Sequence, residues 1–184
     1  MKRQIRSSVF ETNSSSTHSI AISKAPAVIG KSIHFSIGEF GWENSCADTA
    51  DYLYTAILYV YSSEVAEEKI EHLKRTLDKY DVSYQFEEAK YWTSPDGEYT
   101  CLDNGYVDHG SELTEFLEAV FSNEDLLMRY LFGNSIVYTG NDNQDARPSG
   151  CNIADAEYYD WDEKKWMENP YHDSENYEYF YKGN

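Results

Sequence analysis

Four segments with the periodicity of amphipathic helices are interspersed with short segments typical of β-strands, and the two kinds do not alternate regularly. Regular alternation would indicate a parallel α/β sheet, whereas this mixture indicates an α+β domain. We therefore predict a compact domain of short antiparallel strands with four helices and an acidic, aromatic C-terminal segment. A polar stretch separates the two parts, so residues 1–140 form the predicted core domain. Residues 141–184 form a polar loop and a C-terminal segment packed on the core or extending from it.

Apolar residues that recur three and four positions apart locate the helices, and polar residues able to cap them mark their ends. The predicted helices run from Asp48 to about Tyr61, from Ser62 or Ser63 to about Tyr80, from Ser111 through Val120, and from Asn123 to Gly133. Strands are predicted at 4–10, 18–23, 33–37, 82–86 and 135–139. The sequence SPDG at Ser94–Gly97 favours a turn, which predicts a β-hairpin there.

The net charge limits the partners that this chain can bind. Fifteen basic and 33 acidic residues give a formal charge of −18. Affinity for a phosphate backbone comes mainly from lysine and arginine, so direct binding of nucleic acid is not expected. An anionic membrane surface is disfavoured for the same reason. A basic protein surface is the complementary partner, although acidic residues also serve simply to keep a protein soluble.

The acidic residues are concentrated in two blocks that are also rich in tyrosine. Residues 80–125 carry twelve acidic residues and one basic residue, and residues 155–184 carry nine and three. Residues 175–182 alternate in a way that would place tyrosines and acids on separate faces of a strand. Such a strand could present a binding surface, or it could bury its tyrosines and leave its acids in solvent. The candidate partner-binding residues are Glu87, Glu88, Asp96, Glu98, Asp155, Glu157, Tyr158, Tyr159, Trp161, Asp173, Glu175, Tyr177, Glu178 and Tyr179.

A hydroxyl-rich segment, ETNSSSTHS, occupies residues 11–19. Three interpretations remain open for it. Its side chains could bond their own backbone, as Asn, Ser and Thr often do in loops. They could contact a ligand or partner. They could also supply a nucleophile and a base for a hydrolase or transferase. The candidate residues of this alternative ligand loop are Glu11, Asn13, Ser15 and His18.

No metal or cofactor site is expected. Cys46, Cys101 and Cys151 lie far apart, and the close ligand pairs of a zinc site are missing. Three scattered cysteines are typical of reduced thiols in a cytosolic protein. Residues 7–19 are polar where a signal peptide needs an apolar stretch, so we expect a cytoplasmic location. The oligomeric state is not determined by the sequence.

Two segments carry a resemblance to a known family. The opening MKRQIRSSVFETNSSSTHSI and the segment LMRYLFGNSIVYTGNDN at 127–143 are similar to small, mostly uncharacterised proteins of Firmicutes phages and mobile elements. Together they cover about a fifth of the chain. Some small acidic proteins of such elements are anti-CRISPR proteins that inhibit type II effector nucleases. The resemblance implies that class as the specific candidate and a bacterial host cell as the location, and it implies no catalytic residue.

The favoured function is therefore binding to a basic nucleic-acid-binding surface and inhibition of it. RNA-guided nucleases of type II CRISPR systems hold nucleic acid in a positively charged channel, which an acidic protein could occupy. The alternative is a small hydrolase or transferase built on the segment from Glu11 to His18. That alternative requires the side chains of this segment to converge on one pocket.

Overall fold

A computed structural model describes residues 16–41, 45–98, 100–141 and 153–183. Within these ranges the chain forms four α-helices and several small sheets, which confirms the predicted α+β class. The strand predicted at 4–10 lies outside the described residues. The helices are α1 (Thr49–Val60), α2 (Ser63–Lys79), α3 (Thr114–Ser122) and α4 (Glu124–Phe132), and a 3-10 turn at Gly110–Leu113 precedes α3.

The principal sheet has four strands in the order β12-β1-β9-β4, and each neighbouring pair is antiparallel. The remaining strands form two-stranded ribbons, which include the hairpin predicted around Ser94–Gly97. The strands are β1 (Ser16–Ser23), β2 (Ser32–Phe35), β3 (Glu39–Phe40), β4 (Ser45–Ala47), β5 (Ser83–Phe86), β6 (Tyr91–Thr93), β7 (Thr100–Leu102), β8 (Tyr106–Val107), β9 (Ile136–Asn141), β10 (Glu157–Asp160), β11 (Lys165–Glu168) and β12 (Tyr177–Gly183).

Strand β1 lies between β12 and β9, and all eight of its residues are buried. An alternating strand usually has one solvated face, so burial of both faces requires a layer on each side. Ile20 and Ile22 belong to the hydrophobic core that the helices complete. Thr17, Ser19 and Ala21 alternate with them and face the opposite side of the sheet.

Helix α1 is central to the helical layer. It contacts each of the other three helices and strand β9. Eight of its twelve residues are buried, so it is apolar around most of its circumference. Asp48 caps its N-terminus as predicted, because the carboxylate accepts hydrogen bonds from the backbone N–H groups of Ala50 and Asp51. The helical layer is therefore assembled around α1.

Helix α3 begins later than predicted. Gly110–Leu113 form a 3-10 turn, and α3 starts at Thr114 rather than at a Ser111 cap. Gly110 packs closely against α1 at this turn, because a Cβ atom there would lie 2.8 Å from the Tyr59 ring. The tight approach of this backbone to α1 is a tertiary constraint that the local sequence does not reveal. The Asn123 cap of α4 is confirmed, since its side chain accepts from the Leu126 N–H.

Two of the small ribbons are parallel, which the prediction of antiparallel strands did not include. Strand β2 pairs with β5, and β3 pairs with β8. Parallel neighbours need a long connection between them. Helices α1 and α2 lie within the connection from β2 to β5 and pack against these strands. The parallel pairs therefore depend on the helix packing.

The chain from residue 153 onward forms the layer that covers the second face of the sheet. Phe180 is paired with Ala21 on that face, and the His172 ring lies 4.1 Å from the Phe180 ring. Lys182, on the same face, forms a 2.6 Å ion pair with Asp155. The final strand β12 thus belongs to the principal sheet, and the segment before it folds back over β1. No helix among the described residues is long and apolar enough to cross a bilayer.

Candidate binding surface

The structure divides the sequence-predicted binding residues into two groups. Glu87, Glu88, Asp96 and Glu98 lie in and around the β6–β7 hairpin, which packs beside α1 on the helical side of the sheet. The candidates from Asp155 to Tyr177 belong to the layer on the opposite side. These two groups of candidates therefore do not form one continuous face across the sheet. A flat partner surface would meet one group or the other.

Two carboxylates of the first group have structural bonds. Glu87 accepts hydrogen bonds from the backbone N–H of Ile37 and from the side chain of Asn104. Asp96 accepts from the Ser94 hydroxyl at 2.5 Å and from the Glu98 N–H within the hairpin turn. The Ser94 hydrogen bond is the main cause that lowers the pKa of Asp96. All four residues are exposed, but the carboxylates of Glu87 and Asp96 stabilise neighbouring loops through these hydrogen bonds.

Glu178 and Asp173 also have internal partners. Glu178 is the extra residue of a β-bulge in β12, and its carboxylate lies 2.5 Å from Nη2 of Arg129. Arg129 is buried in α4, and it also donates to the Ser23 carbonyl and to Asp125. Asp173 accepts from the backbone N–H of Asn176 and from its side-chain amide. Glu178 therefore attaches β12 to α4, whereas Asp173 stabilises its own turn.

The tyrosines of the C-terminal block are partly buried. Tyr179 is paired with Ile22 and packs against the helical core. Tyr158 is paired with Met167, and both side chains are half-buried. Tyr177 is paired with Ser23 near the bulge. Three candidates of this block, Glu157, Trp161 and Glu175, are exposed and form none of the internal ion pairs or carboxylate hydrogen bonds given above.

The β10–β11 hairpin presents the largest exposed aromatic side chains. Asp160 stabilises the turn because its carboxylate accepts the N–H groups of Asp162 and Glu163. Trp161 begins this turn with 71% of its surface exposed, and Trp166 on β11 is 66% exposed. Tryptophan is enriched at protein interfaces, because burial of its large side chain contributes much binding energy. The hairpin is therefore the strongest candidate for a binding surface.

Three rings of the hairpin form one cluster, composed of Tyr159, Trp161 and Trp166. The Tyr159 ring lies 4.8 Å from the Trp161 ring and 5.6 Å from the Trp166 ring. Both pairs are edge-on, at interplanar angles of 75° and 74°. Tyr159 and Trp166 are directly paired across the strands and therefore share one face. This arrangement leaves much of both indole surfaces open to solvent.

Two carboxylates lie on the same face as the ring cluster. Glu157 and Glu168 are paired directly across the hairpin, two residues from Tyr159 and Trp166 respectively. Neither side chain has a hydrogen-bond or ion-pair partner among the described residues. We call the outward face formed by Glu157, Tyr159, Trp161, Trp166 and Glu168 the hairpin face. It combines aromatic contact area with negative charge.

Sequence reasoning included only part of the hairpin face. Trp166 and Glu168 were not among the candidate residues, because no hairpin was predicted at 157–168. The available signal was an acid and an aromatic residue two positions apart on each side of the WDEK turn at 161–164, namely Glu157 with Tyr159 and Trp166 with Glu168. Reading that segment as two paired strands would have placed Trp166 opposite Tyr159.

His18 is held inside the protein, away from the hairpin face. Its Nε2 donates to the Asp108 carbonyl at 2.5 Å, and its Nδ1 accepts from the Tyr52 hydroxyl at 2.9 Å. Because a carbonyl only accepts, the Nε2 atom carries the proton of the neutral ring. Burial, with repulsion from His109, lowers the pKa of His18 to about 3. The other residues of the ligand loop, Glu11, Asn13 and Ser15, lie outside the described residues.

Tyr52 and Tyr130 offer a matched pair for testing this buried network. The Tyr130 hydroxyl has no hydrogen-bond partner among the described residues, whereas the Tyr52 hydroxyl bonds to His18. We expect Tyr130→Phe to raise the free energy of unfolding by about 1 kcal/mol, because it removes an unpaired buried polar group. Tyr52→Phe should lower it by about 1–2 kcal/mol, because it leaves Nδ1 of His18 without a donor. Urea unfolding measures both changes in the free energy of unfolding. A loss of stability in Tyr130→Phe would contradict the conclusion that the Tyr130 hydroxyl is buried without a partner among the described residues.

An open depression at the N-terminus of α1 is a weaker candidate site. It has a volume of about 380 Å³ and includes His34, Asp48 and Asp51 in its wall. Asp48 caps the helix, and Asp51 accepts the Ser36 N–H at 2.6 Å. Both carboxylates therefore already have partners. No group of three or more potential metal-ligating side chains converges among the described residues.

Comparison of the chain with protein-family models, with curated proteins and with solved structures found no match. The functional argument therefore depends on the physical chemistry of the surface alone.

Proposed function

We propose that this protein binds a basic, nucleic-acid-binding surface of another protein and thereby inhibits it. The best specific partner is the RNA-guided nuclease of a type II CRISPR system. Such a nuclease presents a positively charged channel to nucleic acid. An acidic protein seated there would exclude the nucleic acid by occupying the same lysine and arginine side chains. The proposal requires no catalytic residue and no cofactor.

The single observation that carries the proposal is the hairpin face. Trp161 and Trp166 are exposed, and unpartnered carboxylates flank them on the same side. Protein interfaces commonly bury aromatic anchors at their centre and place polar groups around them. The net charge of −18 adds long-range attraction toward a basic partner. Together these features favour a positively charged protein as the partner.

Salt dependence tests the electrostatic part of this function. The chain should bind a purified type II effector nuclease with a submicromolar dissociation constant at low salt. We expect affinity to fall by about tenfold or more between roughly 50 and 300 mM NaCl, because exposed charges are screened. Biolayer interferometry at several salt concentrations measures the effect, and a DNA-cleavage assay measures inhibition. Absent binding, or binding that is indifferent to salt, would contradict the proposal.

Paired charge-neutral variants locate the binding surface. Glu157→Gln with Glu168→Gln removes two negative charges from the hairpin face. Glu88→Gln with Glu98→Gln removes the same charge from the opposite side of the sheet. We expect the first double variant to weaken binding by about tenfold and the second by less than about threefold. Equal effects would show that net charge, rather than the hairpin face, governs affinity.

No observation on the described residues favours the hydrolase or transferase alternative. The imidazole of His18 is fully buried, and both ring nitrogens already have partners. A general base must reach a substrate proton directly or through one water molecule. His18 has no such access in this structure.

A further inference from the structure

We propose that the hairpin face binds an arginine side chain of the partner protein. The guanidinium group would lie against the indole of Trp166 and between the carboxylates of Glu157 and Glu168. This inference rests on the proposed function, which supplies the partner protein that carries the arginine. It adds the chemical group that the surface recognises and the residues that contact it.

The aromatic part of the argument begins with the ring geometry. Tyr159 stands edge-on to both tryptophans, and each indole keeps most of its surface exposed. A cation is attracted to the face of an aromatic ring, most strongly to tryptophan. The cation–π contacts among the described residues involve Lys69, Lys74 and Lys79, on other parts of the molecule. The two indoles therefore remain available for a cation from outside.

The second part of the argument is the register of the hairpin. Glu157 and Glu168 are directly opposed, and directly opposed residues have Cβ atoms about 4.5–5.5 Å apart. Two like charges in that position repel one another and destabilise the strand pair. A cation between them would reverse this repulsion. Neither carboxylate has a hydrogen-bond or ion-pair partner among the described residues, so none of these residues supplies that cation.

The lysines of the hairpin do not fill the position. Lys165 is paired with Asp160, so it faces the side opposite Trp166, and its ammonium lies 3.7 Å from Glu163. Lys164 lies in the turn with a left-handed backbone, at φ 52°. Neither forms an ion pair with Glu157 or Glu168 among the described residues. Within the part of the chain that the structure describes, no lysine or arginine occupies this position, which leaves it open to a cation of a partner.

The geometry favours a guanidinium over an ammonium ion. Residues two apart on a strand lie about 7 Å from one another, so each carboxylate is within side-chain reach of the ring on its own strand. A guanidinium is planar, stacks on an indole and still presents N–H donors at its edge to carboxylates. An ammonium is a compact, strongly hydrated charge that gains less from stacking. Arginine is also abundant on nucleic-acid-binding surfaces.

Short peptides provide a direct test. One contains a single arginine flanked by glycines, and the second has lysine in its place. We expect the arginine peptide to bind the full-length protein with a millimolar dissociation constant, about threefold or more tighter than the lysine peptide. Nitrogen-15 NMR follows the indole N–H signals of Trp161 and Trp166. These signals should shift, while that of Trp92 on the other hairpin should stay in place.

Matched variants separate the two parts of the site. Trp166→Ala and the double variant Glu157→Gln with Glu168→Gln should each weaken arginine-peptide binding by about threefold or more. Trp92→Ala is the control and should bind as the parent does. The double variant should also raise the melting temperature by about 1–3 °C, because the cross-strand repulsion is gone. Equal binding of both peptides, or shifts centred away from Trp161 and Trp166, would overturn the proposal.

Failure of this inference can be distinguished from failure of the proposed function. If the protein binds the nuclease but Trp166→Ala binds it equally well, the function stands and the arginine site is wrong. If the arginine peptide shifts the hairpin indoles but no nuclease binds, the site stands and the proposed function is wrong.

Discussion

Glu178→Lys is expected to lower the free energy of unfolding by about 2–3 kcal/mol, although the residue lies at the protein surface. The carboxylate lies 2.5 Å from Nη2 of Arg129, whose side chain is only 9% exposed. Lysine would place a second cation against a buried guanidinium that also holds the Ser23 carbonyl. For a chain of this size the melting temperature should fall by about 5–10 °C. Differential scanning calorimetry measures the shift.

Glu175→Lys is the matched control, because it makes the same change of charge three residues away. Glu175 is exposed, and its carboxylate has no partner among the described residues. Its replacement should change the free energy of unfolding by no more than about 0.5 kcal/mol. Equal destabilisation by the two substitutions would show that Arg129 does not anchor the bulge of β12. Arg129→Met with Glu178→Met should recover part of the loss, because an apolar pair removes the uncompensated charge.

Mild acid is expected to destabilise the protein because of His18, at a pH well above that at which the carboxylates of the protein titrate. The folded-state pKa of His18 is lowered to about 3, mainly by burial, whereas the unfolded value is about 6.5. Below about pH 6.5 the imidazole of His18 is therefore protonated in the unfolded chain but stays neutral in the folded chain. The free energy of unfolding should fall by about 1.4 kcal/mol per pH unit, or about 2 kcal/mol between pH 6.5 and 5.

His18→Gln tests the origin of this pH dependence, because glutamine keeps a donor and an acceptor but does not titrate. Urea unfolding between about pH 7 and 5 should show a slope reduced by about one proton in this variant. The control is His34→Gln, which alters an imidazole exposed to solvent. An unchanged slope in His18→Gln would show that His18 does not carry the acid sensitivity. Working above about pH 5 avoids the carboxylates, such as Glu118, whose pKa is lowered by its hydrogen bond from Lys69.

Local patterns in the sequence located the helices well. Asp48 and Asn123 cap α1 and α4 as predicted, and the apolar stripes of all four helices lie inward. Capping and helical periodicity depend on residues within one or two turns, so they can be read without the tertiary structure. The start of α3 was placed too early, since a 3-10 turn at Gly110–Leu113, closely packed against Tyr59, precedes it.

The candidate site was predicted only in part. Composition indicated an acidic, aromatic C-terminal segment, and Glu157, Tyr159 and Trp161 belong to the hairpin face. Asp173 and Glu178 were grouped with them because a sequence shows charge but not its partners. The structure gives both carboxylates internal hydrogen bonds or ion pairs. Which acids remain free is a property of side chains brought together from distant parts of the chain.

The sequence by itself determined the α+β class, the four helices and the negative charge, because these follow from local periodicity and composition. Only the tertiary structure decided that β1 is buried on both faces and that the candidates around the β6–β7 hairpin lie across the sheet from those of the β10–β11 hairpin. It also decided that Trp166 and Glu168 share a face with Tyr159 and Glu157. The burial of β1 and the order of the layers result from contacts between residues far apart in the chain, whereas the register of β10 with β11 depends on the geometry of the turn that joins them.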